Sequence, residues 1–138
     1  MTRFSQETLK KLQEEGRIPA IDEGKKSKYG SRKTIVDGIT FHSKKEAMRY
    51  CELKILERAG SIKELQRQVT FEIHPQFVTE EGVTVKKSCY IADFVYFDMK
   101  LRKMVIEDTK GFCTKEFLKK WKQMQERYGS EYEFLIVY

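Results

Sequence analysis

The sequence predicts an α/β domain in which a central mixed sheet is flanked by helices. Three observations predict it. Val69, Phe71 and Ile73 alternate with polar neighbours, and Ser88 to Phe97 and Met104 to Thr109 also read as strands. Two longer runs, from Ser43 to about Ala59 and from Thr114 to about Tyr128, open on residues that cap helices and carry apolar side chains at helical spacing. Along the chain the order is hairpin, α, β, β, β, α, β, with no internal repeat.

From the N-terminus, Ser5 to Glu15 is built of helix-forming residues with Leu9 and Leu12 on one side; it ends at Gly16, and Pro19 excludes a simple continuation. Gly24 to Lys33 carries five cationic residues in ten and no aliphatic one. Gly16 to Lys33 is therefore expected to be a mobile linker or arm, either a solvated tether or a contact for phosphates through residues such as Arg32 and Lys33. On this reading residues 1–33 are a helix and a basic arm, and residues 34–138 are the compact domain.

The domain opens with two short β runs, Thr34–Val36 and Ile39–Phe41, around Asp37-Gly38, a dipeptide that tight hairpin turns prefer. In the helix that follows, Ala47, Tyr50, Cys51, Ile55 and Ala59 are expected to supply much of the apolar surface, and Gly60 closes it. Pro75 ends the strand over Val69–Ile73, and a turn-rich stretch around Glu80-Glu81-Gly82 leads to the next two strands, joined by the polar Asp98 to Lys103. Phe117, Trp121, Met124 and Tyr128 form one stripe of the last helix, and Trp121 is read as core. Tyr132 to Tyr138 completes the sheet as a strand apolar enough to be buried.

Composition narrows the function classes. The 138 residues carry 27 Lys and Arg against 21 Asp and Glu, a net charge of +6, which suggests a polyanionic partner but is common in ordinary domains. With 40% hydrophobic residues, nine Phe and seven Tyr, a sizeable core can form. The longest apolar run, Phe134 to Tyr138, is far short of the roughly 18 residues of a membrane span. Met1 to Glu7 lacks the apolar centre of a signal peptide. Cys51, Cys89 and Cys113 have neither the number nor the spacing of a disulfide framework or a zinc site, and His42 and His74 are too isolated to form a ligand pair. The chain is expected to be intracellular, without membrane contact.

The chemistry concentrates between Ser88 and Thr109. If Phe97 pairs with Met104, Asp93 lies opposite Asp108, and one face carries Ile91, Asp93, Val95 and Phe97 against Met104, Ile106, Asp108 and Lys110. Two carboxylates facing each other are destabilising unless something cationic offsets them. A divalent metal does so well, because Mg²⁺ prefers carboxylate and carbonyl oxygens. Two other readings compete: Lys110 alone neutralises an aspartate as a structural ion pair, or a one-residue slip puts Glu107 on this face and sends Asp108 outward.

Asp93 followed by Asp108-Thr109-Lys110, in an α-β-β-β-α-β order, resembles the PD-(D/E)XK nuclease superfamily. Three stretches, Phe41 to Leu53, Tyr90-Ile-Ala-Asp-Phe94 and Val105-Ile-Glu-Asp-Thr-Lys-Gly111, are similar to small phage and prophage endonucleases described as Holliday-junction-resolvase-like. The resemblance covers about Lys33 to Tyr138 and implies a restriction-endonuclease-like core. It implies that Asp93 and Asp108 bind metal directly, that the Thr109 backbone carbonyl completes the site, and that Lys110 orients the attacking water and stabilises charge on the phosphate. Glu46 matches the acid that many members place on the preceding helix as a further ligand. Yet Ser43-Lys-Lys-Glu46 is also a capping box, a role that needs no metal. Ala92 stands where the nominal proline would be, and Asp108 is the shorter of the two acids the motif allows.

The function expected from this is a Mg²⁺-dependent DNA endonuclease, with Mn²⁺ as a substitute. It would be structure-selective, junction-resolvase-like and homodimeric, acting in the bacterial host cytoplasm if the chain is encoded by a phage or prophage. Lys115, Lys119 and Lys122 share a side of the last helix that could track a phosphate backbone, although a solvated helix face explains them equally. Gln66 and Gln68 could contact DNA or orient a water. Two alternatives stand beside this function: a sequence-specific or transposon-end endonuclease of the same fold, and a nucleic-acid-binding module without catalysis.

Overall fold

A computed structural model describes residues 4–16, 22–26 and 32–138. The chain divides into two compact units, Met1–Ile62 and Lys63–Tyr138.

In the first unit, helix α1 (Gln6–Glu14) is followed by strands β1 (Asp22–Lys26), β2 (Arg32–Val36) and β3 (Ile39–Phe41), then helix α2 (Lys44–Arg58). The strands form an antiparallel sheet in the order β1-β2-β3. Asp37 and Gly38, at φ 53° and 74°, make the two-residue turn that pairs Val36 with Ile39. Positive φ at both positions matches the right-handed twist of the flanking strands, so the Asp-Gly signal is realised as expected. The expectation of an arm over Gly16–Lys33 is corrected at Asp22–Lys26, which pairs with β2. Pairing along a strand is made by backbone groups, so a polar sequence can add an edge strand without an apolar face of its own. The irregularity in this ladder falls between Glu23 and Lys26, where Gly24 tolerates the bend. Arg32 and Lys33 likewise belong to β2 rather than to an arm, and residues 17–21 and 27–31 lie outside the described residues.

Ser43 caps α2, its Oγ accepting the Glu46 N–H at 3.2 Å, and Gly60 follows its end at φ 80°. Ala47, Tyr50 and Cys51 are buried as expected, with the Tyr50 ring 5.2 Å from that of Phe41. Ala59, however, is exposed, and Leu53 and Leu56 are buried instead. Glu46, Arg49 and Glu52 are also buried, and Arg49 Nη1 donates to Glu52 Oε2 at 2.6 Å. Charged residues three apart line one stripe of a helix, and the ion pair reduces the cost of burying them.

The second unit holds most of β4 (Ile62–His74), a small hairpin of β5 (Phe77–Val78) and β6 (Thr84–Val85), strands β7 (Ser88–Asp98) and β8 (Lys103–Thr109), helix α3 (Lys115–Tyr128) and strand β9 (Tyr132–Val137). Its four-stranded sheet runs β4-β7-β8-β9, with β7 and β8 antiparallel and β8 and β9 parallel. The sheet is therefore mixed, as expected, with α3 forming the crossover between the parallel pair. Thr114 caps α3, its Oγ1 accepting the Phe117 N–H at 3.1 Å. The apolar stripe of α3 packs on Phe71, Ile73, Tyr90, Ala92, Val95 and Ile106. Trp121 is central to this core, 5.9 Å from the Tyr90 ring, 5.5 Å from Phe117 and 5.2 Å from Phe134.

Three details depart from the sequence expectation. β4 begins seven residues before Val69, at Ile62, and accommodates positive φ at Glu64 (59°) and Gln68 (51°). In β9 the side chains from Tyr132 to Ile136 are no more than half-buried and Tyr138 is exposed, leaving Val137 as its buried residue. Ile91 is 55% exposed rather than part of the core face. Ala92 and Val95, three apart, both enter the core under α3, so the alternation of β7 changes phase between them.

Candidate active site

The hairpin of β7 and β8 pairs Phe97 with Met104, Val95 with Ile106 and Phe94 with Glu107. This is the expected register, and the one-residue slip is excluded. Asp93 and Asp108 lie just past the last of these pairs. The backbone confirms their proximity: the Thr109 N–H, next to Asp108, donates to Asp93 Oδ2 at 3.0 Å.

Each carboxylate is held by an identifiable donor. Gln68 Nε2 donates to the other oxygen of Asp93, Oδ1, at 3.5 Å. Tyr90 Oη donates to Asp108 Oδ2 in a buried contact. Asp108 Oδ1 is buried without a hydrogen-bond partner and has the Lys110 ammonium 3.6 Å away. Asp108 is 2% exposed while Lys110 is 31% exposed, so the acid lies beneath the ammonium. The Lys110 Nζ also lies 4.6 Å from the centre of the Phe117 ring, and its backbone N–H donates to Val137 O at 2.9 Å. Strand pairing and α3 thus fix both ends of this residue.

The electrostatics follow from that crowding. Burial, followed by the interaction with the neighbouring Asp93 carboxylate, pushes the Asp108 carboxyl up from 3.8 to about 8, while Tyr90 and Lys110 pull it partly back. Burial and the Asp108 charge likewise drive the Tyr90 phenol far above its ordinary value, which keeps it a donor. Metal-free, the site therefore favours a proton on Asp108.

A divalent cation suits this donor set. Two carboxylates with converging charge, one of them with a buried oxygen lacking a hydrogen bond, are hard-oxygen ligands of the kind Mg²⁺ takes, with water filling the remaining positions. Among the described residues, no group of three or more His, Cys, Asp and Glu side chains is arranged to hold a metal. Asp93 and Asp108 would be its side-chain ligands, with the Thr109 carbonyl the sequence-expected backbone donor.

Of the residues singled out in the sequence, Asp93, Asp108, Thr109 and Lys110 come together. Glu46 belongs to the first unit, where its N–H serves the Ser43 cap. Lys115, Lys119 and Lys122 are exposed along α3, and Lys33 is exposed in β2; Arg32 opens β2. Tyr90 was not anticipated. Strict alternation would have put it on the face opposite Asp93, and the phase change in β7 brings it to Asp108 instead. Gln68 was named only as a general candidate, and its aspartate partner could not be read without the positive φ that bends β4. Glu107, on the opposite face of β8, is fully buried and accepts from Tyr96 Oη at 2.8 Å.

The family described as "Protein of unknown function (DUF1064)" matches residues 26–136. The chain belongs to the DUF1064 family. The DUF1064 match spans Glu46, Asp93, Asp108 and Lys110 together, and its start at residue 26 takes in the last residue of β1 and all of β2. No curated protein and no solved structure matches the chain.

Proposed function

We propose that this chain is a metal-dependent DNA endonuclease with a restriction-endonuclease-like core of the PD-(D/E)XK type. It would be selective for branched DNA and act as a homodimer. The observation that carries the reading is the buried Asp108 Oδ1, without a hydrogen bond, beside Asp93 and 3.6 Å from the Lys110 ammonium. A purely structural ion pair gives no reason for a second carboxylate at the same point. The order α2, β4, β7, β8, α3, β9 agrees with the α-β-β-β-α-β core.

Hydrolysis of a phosphodiester must bring a water to an anionic phosphorus and stabilise the leaving oxygen. A bound divalent cation supplies activation of water and neutralisation of phosphate charge. Asp93 and Asp108 would hold it. The Thr109 N–H fixes the orientation of Asp93, and Tyr90 holds Asp108 Oδ2 so that Oδ1 remains for the ion. Lys110, partly exposed and anchored over Phe117, presents a fixed positive charge to the phosphate and to the attacking water.

The test is cleavage of a labelled four-way junction, beside linear duplex and single strand of the same sequence, with Mg²⁺, with EDTA and with Asp108→Ala. Paired, symmetric nicks that vanish in both controls are the expected outcome. Cleavage of linear duplex at the same rate would remove the preference for branches. Tight binding with no cleavage in Mg²⁺ or Mn²⁺ would replace the enzyme with a binding module.

A further inference from the structure

Away from the two aspartates, α3 and the strands beside it form an open groove of about 300 Å³, here called the cavity, lined by His74, Ser88, Glu116, Lys119, Lys120 and Gln123. Five of these six side chains can donate a hydrogen bond. Lys120 is held at the wall, its Nζ donating to the Cys89 carbonyl at 3.2 Å. His74 is held too: its Nδ1 lies 3.0 Å from the Pro75 carbonyl, which can only accept. Nδ1 therefore carries the proton. The two lysines and Glu116 contribute a net charge of +1 to the lining, which suits the single charge of a phosphodiester.

We infer that this cavity binds a backbone phosphodiester of the nucleic acid, an anchoring site separate from the point of cleavage. The inference rests on the nuclease reading above for its substrate. Ser88 opens β7 and Asp93 lies five residues further on, roughly 17 Å along the strand at about 3.4 Å per residue. That span is about five nucleotides of B-form rise, so the anchored phosphate lies within the same helical turn as the one presented to Lys110. A phosphate gripped there sets the register of the strand over the aspartates, which a diffuse positive surface cannot do. Lys122, on the same helix, does not line the cavity and serves as the internal comparison.

The experiment uses full-length Asp108→Ala protein, so that binding is read without cleavage, and measures fluorescence anisotropy of a labelled duplex and a labelled junction across a salt series. Lys119→Ala, Lys120→Gln and Lys122→Ala are each added to it, with Trp121 fluorescence confirming the fold. Lys119→Ala and Lys120→Gln are expected to weaken binding by roughly ten-fold and to lower the salt slope by about 1, while Lys122→Ala leaves the slope unchanged. An unchanged slope in both cavity variants overturns the site, as does an equal fall with Lys122→Ala, which would mean a diffuse helix face. So does failure of the Asp108→Ala protein to bind either DNA. Cleavage by the parent protein is scored separately. If it cleaves and the slopes do not move, only the anchoring site fails. If it never cleaves and the slopes fall, the site stands and the nuclease reading fails.

Discussion

Asp108 is the residue whose chemistry most depends on its surroundings. Because burial and Asp93 raise its carboxyl to about 8, the folded protein holds a proton through the neutral range that the unfolded chain releases near 3.8. Its contribution to stability is therefore full below the ordinary carboxylate range and is lost as pH rises through about 8. Asp108→Asn removes the titration and keeps the shape. In metal-free buffer, Tm of the parent is expected to fall relative to Asp108→Asn between pH of about 4 and about 8 and to level off above that, with Mg²⁺ reversing the fall in the parent alone. Tyr90→Phe should move the loss to higher pH, because the Tyr90 hydrogen bond lowers the Asp108 value. Its own cost, from a buried carboxylate oxygen left unpaired, is about 1–3 kcal/mol. Thermal melts across pH with and without Mg²⁺ check all of this. Parallel pH curves for parent and Asp108→Asn would show that Asp108 ionises normally.

At the scale of elements, α3 unites core and site. Trp121 packs against Tyr90, which holds Asp108, while Phe117 lies under Lys110. Trp121→Ala should cost about 3–5 kcal/mol, a large part of the roughly 5–15 kcal/mol that typically separates folded from unfolded domains. Because the helix also supports Lys110, cleavage by the fraction still folded should fall as well. Denaturant melts paired with cleavage rates measured well below the midpoint check this, and full activity in the folded variant would separate the helix from the site. Much at this scale was legible in the sequence. Ser43 and Thr114 mark the helix starts because their hydroxyls cap specific N–H groups, Asp37-Gly38 marks a turn because both positions need positive φ, and two carboxylates plus a lysine mark one end of a hairpin whose register follows from its loop. What was not legible depends on tertiary context. β1 is polar and exists by pairing with β2, β4 bends through positive φ at residues other than glycine, and β7 changes phase after Ala92. Periodicity assumes a regular strand, so each irregularity hides the partners it creates, Tyr90 and Gln68 among them.

At the scale of the whole molecule, the proposed function sets a small site against a large partner. On the proposed function a single pair of aspartates would cut one strand, whereas a four-way junction is resolved by two cuts placed symmetrically, which requires two copies of the site related by a two-fold axis. The net charge of +6 on 138 residues favours gathering two copies on one polyanion, since each brings its own phosphate-neutralising side chains. Light scattering of the Asp108→Ala protein with junction DNA should therefore give a complex of two chains per junction. In a mixture of parent and Asp108→Ala chains, mixed dimers should nick one strand, and paired cuts should decline as the square of the parent fraction. A linear decline with one chain per junction would mean that each copy acts alone, and the preference for branched DNA would then have to come from a single site.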